Sequence, residues 1–228
     1  PLSFAPHLYR NLPYQPLRDL QPVVMTTSQP NLIAAASNFP ANNLVDLIAV
    51  LRANPGKFAY ASVGNGSSSH LTMELFKGAA GIDAVHVPYS GSPPAGASLA
   101  AGDTQALFTV APALLPLIQG GRVKLLAVTS ARRVESMPDL PTLAESGYPG
   151  VVALAWNGLF APAGTPAATV EKINADVNAA LKDPAVQASF TRQGLIVGGG
   201  SAAEFKAFIE KEGTTWGAII RKNNITLD

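Results

Sequence analysis

A glycine and serine segment near the middle of the first half of the chain has the residue types and spacing of an anion-binding turn. Residues 60–71 read Tyr-Ala-Ser-Val-Gly-Asn-Gly-Ser-Ser-Ser-His-Leu. Glycines let a backbone approach a ligand closely, and a helix that begins at the serines offers unpaired N–H groups and a partial positive charge. No Lys or Arg lies between Lys57 and Lys77, so a carboxylate suits this turn better than a phosphate. The alternative is a serine N-cap that binds nothing.

The flanking pattern predicts the elements that position this turn. An apolar strand, Phe58–Ala61, runs into it, and a helical period of apolar residues follows from Leu71. A second strand, Ala84–Val87, ends in another polar tip that contains glycine, Tyr89–Gly91. Helices and apolar strands alternate in this way up to Val128. The alternation predicts a parallel sheet covered by helices, with ligand loops at the carboxyl ends of its strands.

The segments on either side of this region have a different pattern. Residues 1–22 contain five prolines and are predicted to be irregular. Two short strands are predicted at Val23–Met25 and Leu32–Ala36, separated by a polar turn at 26–30. After residue 150, an extended aromatic segment leads into amphipathic helices that close the chain.

Composition excludes several classes of protein. The net charge is +1 with 14% charged residues and no basic block, which argues against nucleic acid as a partner. There is no cysteine, hence no disulfide and no thiol chemistry. No apolar run approaches the roughly 20 residues that span a bilayer, which predicts a soluble chain. The turn lacks the third glycine and the acidic residue of a dinucleotide fingerprint, and the three histidines show no helical metal spacing, so no cofactor is predicted.

A serine hydrolase is the enzymatic alternative. It would use one of Ser67–Ser69 with His70, but neighbouring residues on a helix do not face each other. A second route would bring His86 in from the next strand. His70 and Glu74, four residues apart, could share a metal, but no second histidine joins them, so a capped and partly buried histidine explains His70 better.

Five segments in order, residues 60–71, 85–92, 126–130, 140–147 and 156–166, together resemble the Bordetella uptake gene family. Members of that family are the periplasmic receptors of tripartite tricarboxylate transporters. The resemblance covers essentially the whole chain, and it implies a non-enzymatic receptor in the periplasm, with the membrane subunits of the transporter as partners.

The fold that the resemblance implies is an α/β, two-domain architecture like that of periplasmic binding proteins, with parallel sheets flanked by helices. Residues 1–37 and 154–228 would form the first domain and residues 38–153 the second, with hinges near 36–40 and 153–157. The chain begins later than family members do, so the first domain is expected to be incomplete at its N-terminus. An incomplete sheet exposes an edge, which predicts association with another copy.

The ligand that the resemblance implies is a small carboxylate, namely a dicarboxylate, an acidic amino acid or an aromatic acid. Thr109 stands where many relatives carry an acidic residue, which argues against an amino group on the ligand. A binding-incompetent remnant that serves as an interaction module is the alternative function. The expected ligand-binding residues are Ser62, Gly64, Asn65, Gly66, Ser67, Ser68, Ser69, His70, Tyr89, Ser90, Gly91, Thr109, Trp156 and Asn157.

Overall fold

A computed structural model of the chain describes residues 2–222 and 225. In chain order, its strands are β1 (Leu20–Ala36), β2 (Ala59–Ser62), β3 (Val85–Pro88), β4 (Ala106–Val110), β5 (Val123–Val128), β6 (Leu154–Pro162) and β7 (Ile196–Gly199). Its helices are α1 (Ala5–Leu8), α2 (Pro16–Asp19), α3 (Leu44–Ala53), α4 (Ser68–Ala80), α5 (Ser92–Ala101), α6 (Ala111–Gln119), α7 (Ala167–Leu181), α8 (Pro184–Arg192) and α9 (Ala202–Lys222).

The chain divides into two compact units. Unit 1 comprises Pro1–Gln29 with Trp156–Asp228, and unit 2 comprises Pro30–Ala155. The sequence had placed residues 30–37 in the first domain. They belong to unit 2 because the end of β1 is hydrogen-bonded to two of its strands, with Ala34 opposite both Leu107 and Leu125.

Unit 2 is built on a sheet with the strand order β3-β2-β4-β1-β5. Strand β2 is parallel to both β3 and β4, as the alternating pattern predicted, because α4 and α5 return the chain across the sheet. Strand β1, which enters from before the alternating region, is antiparallel to both β4 and β5, so the sheet is mixed rather than parallel throughout. Local periodicity cannot show this insertion, since β1 enters from an earlier part of the chain.

The core of unit 2 lies between this sheet and its helices. Tyr60, Phe76 and Phe108 are among its largest fully buried side chains. Helix α3 begins after Asn43, whose side chain accepts a hydrogen bond from the Asp46 amide at 2.8 Å and so caps the helix. Burial of these apolar side chains is the main source of stability for the sheet that carries the candidate site.

Unit 1 contains the other half of β1, which is one continuous strand rather than the two predicted strands. The polar residues of the supposed turn pair with β7, with Thr27 opposite Val197 and Ser28 opposite Ile196. Strand β6 also pairs with β1. Long-range pairing therefore overrides the local turn signal. The prolines before β1 open the short helices α1 and α2, where the sequence predicted an irregular segment.

Candidate functional site

Three helices of unit 2 begin where three adjacent parallel strands end. Strands β2, β3 and β4 are followed by α4, α5 and α6, respectively. Because parallel strands have their carboxyl ends at the same sheet edge, the three helix N-termini lie along that edge. Each N-terminus carries partial positive charge and unpaired amides. This edge is the part of unit 2 best suited to an anion.

The sequence around this edge contains no fully charged side chain. No Asp, Glu, Lys or Arg occurs in residues 58–73, 84–102 or 104–121. An anion held here would therefore be bound by backbone amides and hydroxyls alone. Such neutral donors match the geometry and single charge of a carboxylate.

The turn between β2 and α4 depends on its two glycines. Gly64 has a φ of 128° and Gly66 a φ of 66°, which side-chain-bearing residues rarely adopt. A Cβ on Gly64 would lie 3.5 Å from the Tyr89 carbonyl oxygen, so the turn passes close to the end of β3. The glycine turn after β2 and the polar segment after β3 therefore lie next to each other within unit 2.

Several donors of the turn are already used by the protein. The Gly64 amide donates to Ser62 Oγ at 3.2 Å, the Gly66 amide donates to His70 Nδ1 at 3.1 Å, and the Ser67 amide donates to the Gly64 carbonyl at 3.2 Å. These amides already donate to acceptors within the protein, and the assignment of Gly64, Gly66 and Ser67 as ligand-binding residues stays a prediction. Within the described residues, the amides of Ser68 and Ser69 have no such partner.

The three serines have three different environments. Ser67 is the N-cap of α4, since its hydroxyl accepts from the His70 amide at 3.2 Å and donates to the Gly64 carbonyl at 2.7 Å. The Ser69 hydroxyl is buried and donates to the Phe108 carbonyl. Of these three serines, only Ser68 has a hydroxyl that makes no hydrogen bond to the described residues, and its side chain is partly exposed. The geometry therefore favours Ser68 over its neighbours as a hydroxyl donor to a ligand.

Two histidines stack beneath the turn. The rings of His70 and His86 are 4.0 Å apart and 6° from parallel, and Tyr60 covers the other face of His86 at 4.8 Å. His86 Nε2 lies 2.6 Å from Ser62 Oγ. Burial lowers the pKa of His70, and burial together with the neighbouring His70 lowers the pKa of His86 to about 4. Both imidazoles are therefore neutral at neutral pH.

The contact between Ser62 and His86 does not create a hydrolase site. Ser62 is fully buried, so a substrate cannot reach its hydroxyl. His86 packs between two rings, and among the described residues no carboxylate is hydrogen-bonded to it. A nucleophilic serine needs both access and an oriented base.

The remaining predicted residues of unit 2 lie at the same edge. Thr109, near the end of β4, is buried, and its hydroxyl donates to Ser92 Oγ at the start of α5 at 3.1 Å. Tyr89 donates to Ser98 Oγ at 2.6 Å, which fixes its ring against α5. In addition, Gly91 is the N-cap of α5, and Ser90 and Asn65 are exposed.

Trp156 and Asn157 belong to unit 1 and are held by contacts there. Trp156 packs edge-on against Phe205 at 5.4 Å and Phe208 at 5.8 Å. The Asn157 side chain donates to Thr27 Oγ1 at 3.0 Å. Their assignment as ligand-binding residues therefore stays a prediction, and packing within unit 1 accounts for the orientation of both side chains.

His86 is the residue of this edge that reasoning from the sequence did not assign to the site. The only signal for it is the register of two parallel strands, which places His86 beside Tyr60. The described part of the chain has no cluster of three His, Asp or Glu side chains placed to hold a metal ion. No helix in it is long and apolar enough to cross a bilayer.

One protein family and several known sequences match this chain. The family described as "Tripartite tricarboxylate transporter family receptor" matches residues 1–225. A Pseudomonas protein encoded in the tcbD-tcbE intergenic region is 35% identical over 93% of this chain, and protein BugT of Bordetella pertussis is 34% identical over all of it. The chain spans 63% and 70% of the lengths of these two relatives.

Solved structures give the same result. An R. palustris protein solved with adipate has a TM-score of 0.93 and 33% identity, covering 99% of this chain and 76% of that one. The periplasmic binding protein BugD has a TM-score of 0.89 and 31% identity, with 99% and 77% covered. MatC from Rhodopseudomonas palustris, solved with malate, has a TM-score of 0.85 and 30% identity, with 94% and 74% covered.

These likenesses confirm the two-domain α/β fold of the periplasmic binding proteins and the resemblance seen in the sequence. The matched proteins are solute-binding proteins rather than enzymes, which agrees with the inaccessible Ser62. The chain belongs to the TctC family of tripartite tricarboxylate transporter receptors.

Proposed function

We propose that this protein is a periplasmic receptor that binds a small dicarboxylate and delivers it to a tripartite tricarboxylate transporter. The observation that carries the proposal is the first turn of α4, where the amides of Ser68 and Ser69 and the Ser68 hydroxyl are free of internal partners within the described residues. Adipate and malate, the ligands of two similar structures, are both dicarboxylates.

The strength of binding at this edge of unit 2 follows from its donors. Hydrogen bonds to a charged group contribute roughly 1.5 to 3 kcal/mol each, and a helix N-terminus adds up to about 1 kcal/mol. After the cost of association, two or three such bonds leave about 4 to 5 kcal/mol, which corresponds to a near-millimolar Kd. Tighter binding requires contacts from outside unit 2.

A proline at position 68 tests the backbone donor directly. Ser68 is the first residue of α4, where proline is tolerated, and the preceding residue has an extended conformation with φ −73° and ψ 163°. Ser68→Pro therefore removes one amide donor and one hydroxyl while the helix is kept, whereas Ser68→Ala removes only the hydroxyl. The matched control is Ala167→Pro, at the exposed first residue of α7 in unit 1.

Titration of the ¹⁵N-labelled chain with adipate, malate and inorganic phosphate measures the effect by amide shifts and calorimetry. We expect the Ser69 amide to shift with a dicarboxylate, Ser68→Ala to weaken binding about 10-fold, and Ser68→Pro to show no saturable binding up to about 10 mM. Ala167→Pro is expected to bind like the parent chain. Absence of any shift at about 10 mM dicarboxylate would refute the receptor and favour the interaction module.

Delivery to the transporter and association between copies stay predictions. Uptake of labelled dicarboxylate by cells that contain the membrane subunits, with and without this receptor, tests delivery. Size-exclusion chromatography with light scattering tests association.

A further inference from the structure

The Gly64–Gly66 turn is held from both ends by one stack of side chains. Ser62 Oγ accepts from the Gly64 amide at 3.2 Å, and His70 Nδ1 accepts from the Gly66 amide at 3.1 Å. Ser62 is in turn 2.6 Å from His86, whose ring stacks on His70 at 4.0 Å. The two hydrogen bonds to the turn therefore share one support.

The positive φ angles of both glycines make such a support necessary. Glycine has more backbone conformations to lose than any other residue, so the turn is held only where tertiary contacts hold it. If the turn relaxes, the start of α4 moves with it, because the Ser67 cap is bonded to the Gly64 carbonyl at 2.7 Å. The directions of the Ser68 and Ser69 amides therefore depend on this arrangement.

The hydrogen bond from the Gly66 amide also determines which ring nitrogen of His70 carries the proton. A backbone amide can donate only to a bare ring nitrogen, so His70 carries its single proton on Nε2. A second proton, on Nδ1, would place two donors against each other. The charged groups near the pair are Glu74 and Lys77 on α4, which are bonded to each other at 3.0 Å, and Glu74 also accepts from the Tyr60 hydroxyl at 2.7 Å.

We propose that His70 and His86 are positioning residues for the carboxylate site, because this neutral, stacked pair fixes the glycine turn and aims the Ser68 and Ser69 amides at the ligand. The proposal rests on the proposed function. It replaces direct ligand contact as the role of His70, whose ring is buried and whose Nδ1 is already used. It also predicts that the pair acts through geometry rather than through charge.

Two substitutions of His70 distinguish the effect of its hydrogen bond to the turn from the effect of its ring. His70→Asn can replace Nδ1 with an amide oxygen as the acceptor, whereas His70→Phe keeps a flat ring on His86 but accepts nothing. Losing one hydrogen bond to the turn is expected to raise the Kd for adipate or malate about 10-fold in His70→Phe, and His70→Asn is expected to stay within about 3-fold of the parent chain. His7→Asn, at the exposed third histidine, in unit 1, is the matched control.

Acidification gives a readout that loss of packing would not give. As the pH falls below about 6.5, the Kd of the parent chain should rise more steeply than that of His70→Asn, since only the parent chain can gain a proton on Nδ1. Protonation of the ligand itself changes the Kd of both proteins equally, so it cancels in the ratio of the two Kd values. Identical pH profiles, or a His70→Phe protein that binds like the parent, would overturn the positioning role.

Hydrogen exchange of the Gly66 amide tests the same contact without any ligand. The amide should be protected in the parent chain and in His70→Asn, and it should exchange fast in His70→Phe. If His70→Phe does not fold, His86→Phe, which keeps the stack but loses the bond to Ser62, is expected to weaken binding several-fold in its place. A parent chain that binds no dicarboxylate overturns the proposed function, whereas unchanged Gly66 exchange in His70→Phe overturns the positioning role alone.

Discussion

Replacing the N-cap of α4 with aspartate separates stability from ligand binding. Ser67 caps the helix through its hydroxyl, which accepts from the His70 amide at 3.2 Å. Aspartate and asparagine cap helices about as well as serine, so Ser67→Asp and Ser67→Asn keep this bond. Both lose the hydroxyl bond to the Gly64 carbonyl, which costs about 1 kcal/mol. The two variants should therefore unfold at nearly the same denaturant concentration.

Their affinities for an anion should differ because only one of them adds a negative charge. A carboxylate bound to the Ser68 and Ser69 amides would lie about 5 Å from the new carboxylate on the adjacent residue. At an effective dielectric constant of about 20 to 40, this repulsion amounts to about 1.5 to 3 kcal/mol. The Kd of Ser67→Asp should exceed that of Ser67→Asn by about 10- to 150-fold.

Amide shifts of both ¹⁵N-labelled variants during titration with adipate and malate measure this ratio, or its lower limit where Ser67→Asp does not saturate, and urea denaturation verifies their equal stability. The ratio should shrink as salt is raised, because ions screen the repulsion between two partly solvated carboxylates. Equal Kd values for two equally stable variants would refute the placement of the ligand carboxylate at the start of α4. A lower stability of Ser67→Asp alone would refute the capping argument.

Three further predictions concern stability. Thr129→Val removes a buried hydroxyl that accepts from the Asn31 amide at 2.9 Å, and it should lower the free energy of unfolding in urea by about 2 to 4 kcal/mol, whereas Thr129→Ser should stay within about 1 kcal/mol. Gly158→Ala would place a Cβ 2.2 Å from Phe205 Cζ, and calorimetry should show a melting temperature lower by about 3 to 10 °C. Burial holds the pKa of His86 at about 4, below its unfolded value of about 6.5, so the unfolded chain binds the proton more tightly. The free energy of unfolding should therefore be constant above about pH 7 and fall as the pH drops toward 4, and His86→Phe should flatten this fall.

The sequence was sufficient for the local features of the candidate site. Glycines at 64 and 66 followed by serines predicted a turn before a helix, and the structure confirms α4 with Ser67 as its N-cap. These features are determined by neighbouring residues, because a cap and a left-handed glycine depend on a few consecutive backbone angles. Five ordered segments were also specific enough to indicate the family, which the comparisons confirm.

The path of β1 was decided by tertiary structure. Residues 26–30 have the composition of a turn, yet Thr27 and Ser28 are paired with β7, about 170 residues later in the chain. The same strand separates β4 from β5 and makes the sheet mixed. Pairing between distant segments depends on which strand edges are free, and no local pattern contains that information.

The different roles of the serines and histidines were likewise decided by the tertiary structure. Three consecutive serines, Ser67–Ser69, cannot be told apart by residue type, but their environments differ. One caps a helix, one is buried against the Phe108 carbonyl, and of the three only Ser68 has a hydroxyl without a hydrogen-bond partner among the described residues. His86 reaches the turn only because β3 lies beside β2. The sequence by itself determined that an uncharged turn of glycines and serines exists before a helix, since that depends on residue types. The packing of strands and helices around the turn decided which donors remain for a ligand. An amide or hydroxyl can bind a ligand only when it does not already donate to a nearby acceptor.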